Sequence, residues 1–312
     1  MKYIVTGGAG FIGSHIAEEL AARNHEVVVL DNLFAGKIEN LAPVQGNKNV
    51  TFVNGTITDL PLLKKIFTGA DGVFHEAAIA SVPYSVAHPL ETHDINLSGT
   101  FNVLSAARDC GVKSLVFASS AAVYGDRPGL PKQEEMLPET LSPYAVSKLA
   151  GEYYCSVFSR LYGVRCTALR YFNVFGPRQD PHSPYSGVIS KFVTGTLARR
   201  PLVIFGDGAQ TRDFVYVKDV VQANLLAMAS EGGGVYNIAC GKQINLLELA
   251  DTIMEISGIT VPVTFAPPAA GDIKDSLADI SLAQDMLGYV PAYTVRSGLE
   301  RTVAWYREQK KD

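Results

Sequence analysis

Tyr144 and Lys148 stand four residues apart in Ser142-Pro143-Tyr144-Ala145-Val146-Ser147-Lys148, so a helix places both on one face, one turn apart. A phenol with a pKa of about 10 is a poor base at neutral pH. An ammonium beside it, joined by a second positive charge from a ligand, favours the phenolate and makes it a group that takes a proton from an alcohol. Upstream, Phe117-Ala118-Ser119-Ser120-Ala121-Ala122-Val123-Tyr124-Gly125 reads as a strand end followed by a turn. Ser119 and Ser120 then emerge at the carboxyl edge of a sheet, where open α/β sheets bind ligands. On an exposed helix the Tyr-x-x-x-Lys spacing would carry no chemistry. The serine pair supplies a hydroxyl partner for it.

A second constellation opens the chain. Thr6-Gly7-Gly8-Ala9-Gly10-Phe11-Ile12-Gly13 follows an apolar strand and leads into a helix. Gly7, Gly10 and Gly13 suit three tasks: a tight turn, close approach of backbone N–H groups to a pyrophosphate, and close helix–sheet packing. The helix N-terminus adds partial positive charge for the anion. Tight βα turns use glycine for backbone reasons alone, and Asp31 could simply begin an Asp31-Asn32 turn. The context favours a dinucleotide: Asp31 ends the second strand 31 − 13 = 18 residues past the last glycine, placed to take the adenosine ribose hydroxyls. A carboxylate there repels a 2′-phosphate, so NAD is expected rather than NADP.

The elements that must position these groups alternate. Strands are expected at Tyr3 to Val5, Glu26 to Leu30, Val50 to Val53, Gly72 to Phe74, Ser114 to Ala118 and Arg165 to Arg170. Helices are expected at Phe11 to Arg23, around Ile95 to Cys110, and from Tyr144 to Tyr162. Such alternation implies a parallel sheet with helices on both faces. From Gly176, prolines and glycines punctuate shorter segments, and a smaller unit starts there. Tyr216 to Ala229 reads as a helix returning to the first unit, and Val235 to Ile238 as a further strand. The expected fold class is α/β: a Rossmann-like doubly wound parallel sheet with a smaller interleaved C-terminal α/β domain for the substrate. Its first domain spans 1–175 with a returning segment near 213–232; the second takes 176–212 and 233–312.

Composition narrows the partners. The 312 residues are 47% hydrophobic and 19% charged, the balance of a folded enzyme rather than a disordered chain. A net charge of −4 gives no global field for nucleic acid or an anionic membrane, so an anionic substrate needs local Arg and Lys. Cys110, Cys155, Cys166 and Cys240 are scattered without metal-ligand spacing, so neither a disulfide framework nor a metal site is expected. The chain opens directly on a strand and holds no apolar run of membrane-spanning length. A cytoplasmic location is the expectation.

These residues resemble the extended short-chain dehydrogenase/reductase family, and within it the nucleotide-sugar 4-epimerases of the UDP-glucose and UDP-N-acetylglucosamine type. The resemblance covers essentially the whole chain. It is carried by TGGAGFIG (6–13), LDN (30–32), HEAAIASV (75–82), ASSAAVYG (118–125), SPYAVSK (142–148), LRYFNVFGPRQ (169–179), FGDGAQTRDFVYVKDV (205–220) and GDIKDSLADISLA (271–283). It implies a tightly bound, recycled NAD and a UDP-sugar epimerised at C4 through a 4-keto intermediate. Tyr144 would take the 4-hydroxyl proton, Ser120 with Ser119 beside it would bond the same oxygen, and Lys148 would hold the nicotinamide ribose. Gly7, Gly10, Phe11, Ile12, Gly13, Asp31, Asn32, Thr56, Ile57, Phe74, Ala77, Ala78 and Tyr171 would complete the NAD site, with Asn96 contacting the cofactor or ordering its loop. Ser81, Asn173, Val188, Phe205, Arg212 and Ser276 would join Ser120 around the substrate, Phe205 packing on uracil and Arg212 clamping the diphosphate. The alternatives are core packing for Phe205 and a surface ion pair with Asp213 for Arg212. A homodimer through the helices around 98–110 and 144–162 is implied as well.

The chain departs from the family in places. Thr56 stands where the family usually has Asp after the glycine of the third-strand loop, and Ala269 stands where many relatives have a second diphosphate-binding Arg, with Lys274 nearby. Ala121 and Ala122 occupy the positions where dehydratase and decarboxylase relatives carry acids, and alanine moves no protons. Epimerisation is thereby favoured over elimination. A UDP-glucuronate 4-epimerase or a 4-reductase is the alternative within the family. Ser276 borders the C2 side of the sugar by resemblance; a small residue there leaves room for an acetamido group, so UDP-GlcNAc/UDP-GalNAc is expected beside UDP-Glc/UDP-Gal.

Overall fold

The computed structural model describes residues 1–181, 187–268 and 274–309. Strand and helix alternate through the first half: β1 (Lys2–Thr6), α1 (Phe11–Ala22), β2 (Glu26–Asp31), β3 (Val50–Asn54), α2 (Leu60–Phe67), β4 (Gly72–His75), α3 (Val82–Ala87), α4 (Pro89–His93) and α5 (Gly99–Asp109). Then come β5 (Ser114–Ser120), α6 (Pro143–Tyr162) and β6 (Arg165–Tyr171). The remainder contains β7 (Asn173–Phe175), α7 (Val188–Leu197), β8 (Leu202–Phe205), β9 (Thr211–Arg212), β10 (Phe214–Tyr216), α8 (Val217–Ala229) and β11 (Gly234–Ile238). Last are β12 (Ile244–Asn245), α9 (Leu246–Ser257), β13 (Val263–Ala266), α10 (Ser281–Leu287) and α11 (Val295–Glu308). Among the described residues no helix is long and apolar enough to cross a membrane.

A parallel sheet in the order β11-β6-β5-β4-β1-β2-β3 forms the centre. Its middle strands are buried on both faces, which is why Ile4, Val5, Val73, Phe74, Leu115 and Val116 form unbroken apolar runs. The strand order reverses between β1 and β4, so the carboxyl ends there open a crevice between diverging loops. This is the expected Rossmann-like sheet. The smaller unit packs α7, α9 and α11 around Phe192, Val193, Leu249, Ile253 and Leu299, with the parallel pair β8–β13 at its side.

Two details differ from the expectation. β11, expected in the second domain, is the edge strand of the large sheet, registered along β6 from Gly234 with Thr167 to Ile238 with Tyr171. α8 makes the crossover that lets the chain pair in parallel, so the first domain reclaims residues beyond 232. β5 also runs two residues past its expected end, to Ser120. Successive side chains on a strand point to opposite faces, so Ser119 and Ser120 part company.

Ser119 turns into a buried polar network. Its hydroxyl donates to Glu152 Oε1 at 2.5 Å, and Arg170 grips the same carboxylate through Nε (2.9 Å) and Nη2 (2.8 Å). Arg170 Nη1 also donates to the Tyr124 hydroxyl, which donates in turn to Asn237 Oδ1. Arg170 and Glu152 are both nearly sealed from water. The network pins α6 to β5, β6 and β11. Arg170→Leu leaves a buried, unpaired carboxylate and is expected to destabilise the fold by about 3–5 kcal/mol, read as a lower urea midpoint with an unchanged m-value.

Candidate active site

A cavity of about 1210 Å³ lies over the crevice between β1 and β4. It is lined by Gly7, Gly10, Phe11, Ile12 and Gly13 of the glycine loop, by Asp31 and Asn32, and by Thr56, Ile57, Ala77 and Ala78. The glycines are sterically required. Gly7 has φ +66°, and a Cβ there would lie 2.6 Å from Ala77 N; one on Gly13 would lie 2.3 Å from Gly7 O. Gly10 is the N-cap of α1 and offers no side-chain cap, so the first turn of the helix is left for a ligand anion. Asp31 is buried, which raises its pKa; N–H bonds from Leu33 (2.8 Å) and Ala9 (3.0 Å) oppose that rise. A bare loop, an uncapped helix and a carboxylate lining the same cavity fit a dinucleotide with free ribose hydroxyls.

A second cavity, about 630 Å³, meets the first: Ala80, Val174 and Gln179 line both. Its walls carry Ser120, Tyr144, Tyr171, Asn173, Val188, Phe205, Arg212 and Ser276. α6 presents Tyr144 for clear local reasons. Ser142 caps it by accepting from Ala145 N at 3.2 Å, Pro143 occupies the first turn, and Gly163 ends it in a left-handed conformation. Tyr144 and Lys148 then share a face, with the Lys148 ammonium 5.8 Å from the Tyr144 ring centroid and 5.1 Å from that of Phe117. Lys148 Nζ donates to the Ala118 carbonyl at 2.7 Å. Ser120 lies close enough to Tyr144 to pull its phenol pKa down, and Ser120 Oγ accepts from Ala122 N at 3.1 Å.

Burial raises the Tyr144 phenol, Ser120 opposes this, and the Glu76 carboxylate adds to it. Burial pushes Lys148 down to about 8 while Glu76 holds it up. A dry pocket penalises every charge in it, so among the chain's own residues burial holds the phenol protonated, and the downward shift expected requires the ligand's positive charge as well.

Other expected residues divide. Asn173, Val188, Phe205, Arg212 and Ser276 gather around the second cavity. Phe205 is 52% exposed, since β8 alternates inward and outward, so it is cavity wall rather than core. Arg212 Nη1 donates to the carbonyls of Thr211 (2.8 Å) and Lys274 (3.1 Å), while Asp213 is buried and takes N–H bonds from Cys240, Gly241 and Ala278. Ser119, Phe74, Ser81 and Tyr171 stand elsewhere than expected, whereas Asn96 takes the loop-ordering role. Ser119 belongs to the Glu152 network. Phe74 is wholly inside the sheet's core, because its position on β4 points away from the cleft. Ser81 is buried as the cap of α3, accepting from Tyr84 N. Asn96, on a single π turn before α5, bonds both N–H and C=O of Ile79 and so orders the loop that carries Ala77 and Ala78. Tyr171 lines the second cavity rather than the first and donates to Glu76 Oε1 at 3.0 Å. Ala269 and residues 271–273 lie outside the described residues. Glu76, on the first cavity's wall, is the site residue that sequence reasoning missed. The available signal was a carboxyl placed directly after a buried strand.

The NAD dependent epimerase/dehydratase family matches residues 3–239. A UDP-glucose 4-epimerase of Mycolicibacterium smegmatis is 38% identical over 314 residues, covering 100% of both chains. Among solved structures, a UDP-N-acetylglucosamine 4-epimerase from Methanobrevibacter ruminantium in complex with UDP-N-acetylmuramic acid superposes with a TM-score of 0.95. It is 42% identical, over 99% of this chain and 98% of its own. A Thermus thermophilus UDP-glucose 4-epimerase in complex with NAD gives a TM-score of 0.89 at 40% identity, over 98% and 99%.

Gly7→Ala combines left-handed strain with a backbone clash and is expected to cost about 2–4 kcal/mol of stability by thermal unfolding. The same variant should bind the dinucleotide more weakly in calorimetry, since the added methyl must displace the Ala77 wall.

Proposed function

Because the chain belongs to the NAD dependent epimerase/dehydratase family, we propose that it uses tightly bound NAD to epimerise a UDP-hexose at C4, through a 4-keto intermediate. The observation that carries this reading is that Ser120 and Tyr144 line the second cavity together, with Lys148 beside Tyr144. When bound, the dinucleotide supplies a reversible acceptor of hydride and a positive ring. Tyr144 removes the proton of the sugar 4-hydroxyl, and Ser120 bonds the same oxygen. Lys148 keeps one N–H on Ala118 O and turns the others to the nicotinamide ribose. Arg212 neutralises diphosphate, Phe205 packs on uracil and Asn173 bonds the diphosphate or sugar. The ketone then rotates about its diphosphate link, and Tyr144 returns the proton with the opposite face reduced. Ala121 and Ala122 line the second cavity beside Ser120, and alanine has nothing to protonate or deprotonate C5 or C6, which favours reduction of the intermediate over elimination.

Two further parts of the reading concern assembly and place. Phe101, Tyr153, Val157 and Leu161 lie exposed on α5 and α6, an apolar face that suits a second copy of the chain. The four free cysteines suit a reducing compartment such as the cytoplasm.

Denaturing the purified protein should release NAD, and NMR should show the protein interconverting a UDP-sugar 4-epimer pair without added cofactor. Tyr144→Phe should lower the rate about 10²–10⁴-fold while NAD is retained. Wild-type turnover in the variant would sink the proton-transfer assignment, and stoichiometric consumption of added NADH would make the enzyme a 4-reductase instead.

Ser276 puts a small side chain on the wall of the second cavity, and we infer that both the hexose and the 2-acetamido-hexose pairs are substrates. Ser276→Tyr is expected to abolish turnover of the UDP-GlcNAc/UDP-GalNAc pair while sparing UDP-Glc/UDP-Gal. Absence of acetamido turnover in the unaltered enzyme would refute that breadth.

A further inference from the structure

Glu76 follows β4 directly and takes no part in the steps above, yet its placement is tightly specified. Its N–H donates to Thr6 O at 3.1 Å, continuing the β1–β4 pairing by one residue. The β4–β5 register ends with His75 opposite Phe117, which sets Glu76 beside Ala118, the residue whose carbonyl holds the Lys148 ammonium. Across β5, Tyr171 is registered with Ser120. The Tyr171 hydroxyl reaches over the small Ala118 side chain to donate to Glu76 Oε1 at 3.0 Å, and it accepts from Asn224 Nδ2 at 2.7 Å. Asn224 is fixed in turn on Val220 O at 2.9 Å. A hydrogen-bond chain from α8 through β6 thus locks a carboxyl onto the wall of the dinucleotide cavity, beside the proton-transfer pair.

We propose that Glu76 is a positioning residue for proton transfer at Tyr144, its charge setting the pH range in which Tyr144 and Lys148 hold their working ionisation states. The inference rests on the Tyr144–Lys148 reading above. The titratable groups facing Glu76 are Tyr144 and Lys148 from α6 and Tyr171 from β6. His75 turns the other way, bonding Thr6 and Thr100, and burial holds it neutral with a pKa of about 3. β1 offers only the Thr6 carbonyl, and α8 the Asn224 amide. Among the described residues no ion pair reaches Glu76. Burial pushes its carboxyl up to about 7, against the opposing pull of Tyr171 and Lys148. Once ionised, it favours the protonated form of both neighbours: it raises Lys148, and it raises Tyr144. A base that must lose its proton and an ammonium that must keep one therefore move together along the pH axis.

Glu76→Gln keeps the shape and the acceptor for Tyr171 but removes the charge. Both limbs of the bell-shaped kcat/KM profile are expected to move toward acid, by on the order of one pH unit. Glu76→Asp, which restores the charge, should bring the limbs back toward their original positions. A second readout needs no turnover: the phenolate absorbance of Tyr144, taken as the difference between each protein and its Tyr144→Phe counterpart, should appear at lower pH in the Gln variant. Should Gln fail to fold, Tyr171→Phe removes the hydrogen bond that favours the carboxylate and should move the limbs the same way by less. A lower kcat with both limbs unmoved would overturn the proposal, as would a shift toward alkali. Full activity in Tyr144→Phe would instead overturn the reading beneath it, so the two failures are distinguishable.

Discussion

The structure depends on keeping one ammonium out of water. Lys148 is held in an almost sealed corner by a single backbone carbonyl, between the faces of Phe117 and Tyr144. Burying a charge is costly unless partners are fixed around it. Here the partners come from the ends of adjacent strands, and those ends are brought to one place only by a parallel sheet. β5 contributes the Ala118 carbonyl and Ser120, β4 leads to Glu76, and β6 ends in Tyr171. The topology and the chemistry are therefore one constraint: any slip in the register of β5 would face Ser119 to the cleft and turn Ser120 inward.

Two electrostatic regimes meet around α6. In one, Glu152, Arg170 and Ser119 form a satisfied network with Tyr124 and Asn237, which fixes α6 against the sheet. In the other, Lys148, Tyr144 and Glu76 carry shifted ionisation and few hydrogen bonds. Saturated partners make the first group rigid, and shifted ionisation makes the second reactive. α6 belongs to both. Its buried side holds the ion pair, and one turn of it presents the phenol.

How much of this was legible beforehand varies with how local the cause is. The glycine loop and the Ser142-Pro143 start of α6 were readable because caps, turns and steric needs reside in consecutive residues. Ser120 and Tyr144 were readable as a pair because both motifs are short. The assignment of Ser119 failed because strand length, set by pairing with β6 as far as Tyr171, decides which face a residue takes. β11 was recognisable as a strand but its sheet was not, since pairing with β6 is a contact across some 70 residues that no local pattern encodes. Ser81 was read as a ligand contact; it caps α3 instead, a role that depends on where the Tyr84 backbone passes. Glu76 stayed hidden because its partners are Tyr171 and Asn224, far along the chain.

The meeting of the two cavities explains why one site can yield two stereochemical outcomes. The fixed groups, Ser120, Tyr144 and Lys148, all sit on the sheet-and-α6 side, whereas Arg212, Phe205 and Ser276 sit on the smaller domain. Anchoring at the nucleotide end leaves the sugar end free to turn against an unchanged base. The wall it turns past is built of Ala80, Ala121 and Ala122, which neither grip nor donate. Larger or charged side chains there would select one orientation or divert the ketone. Smallness at these positions thus fits an inversion in which one phenol must serve a sugar presented by either face.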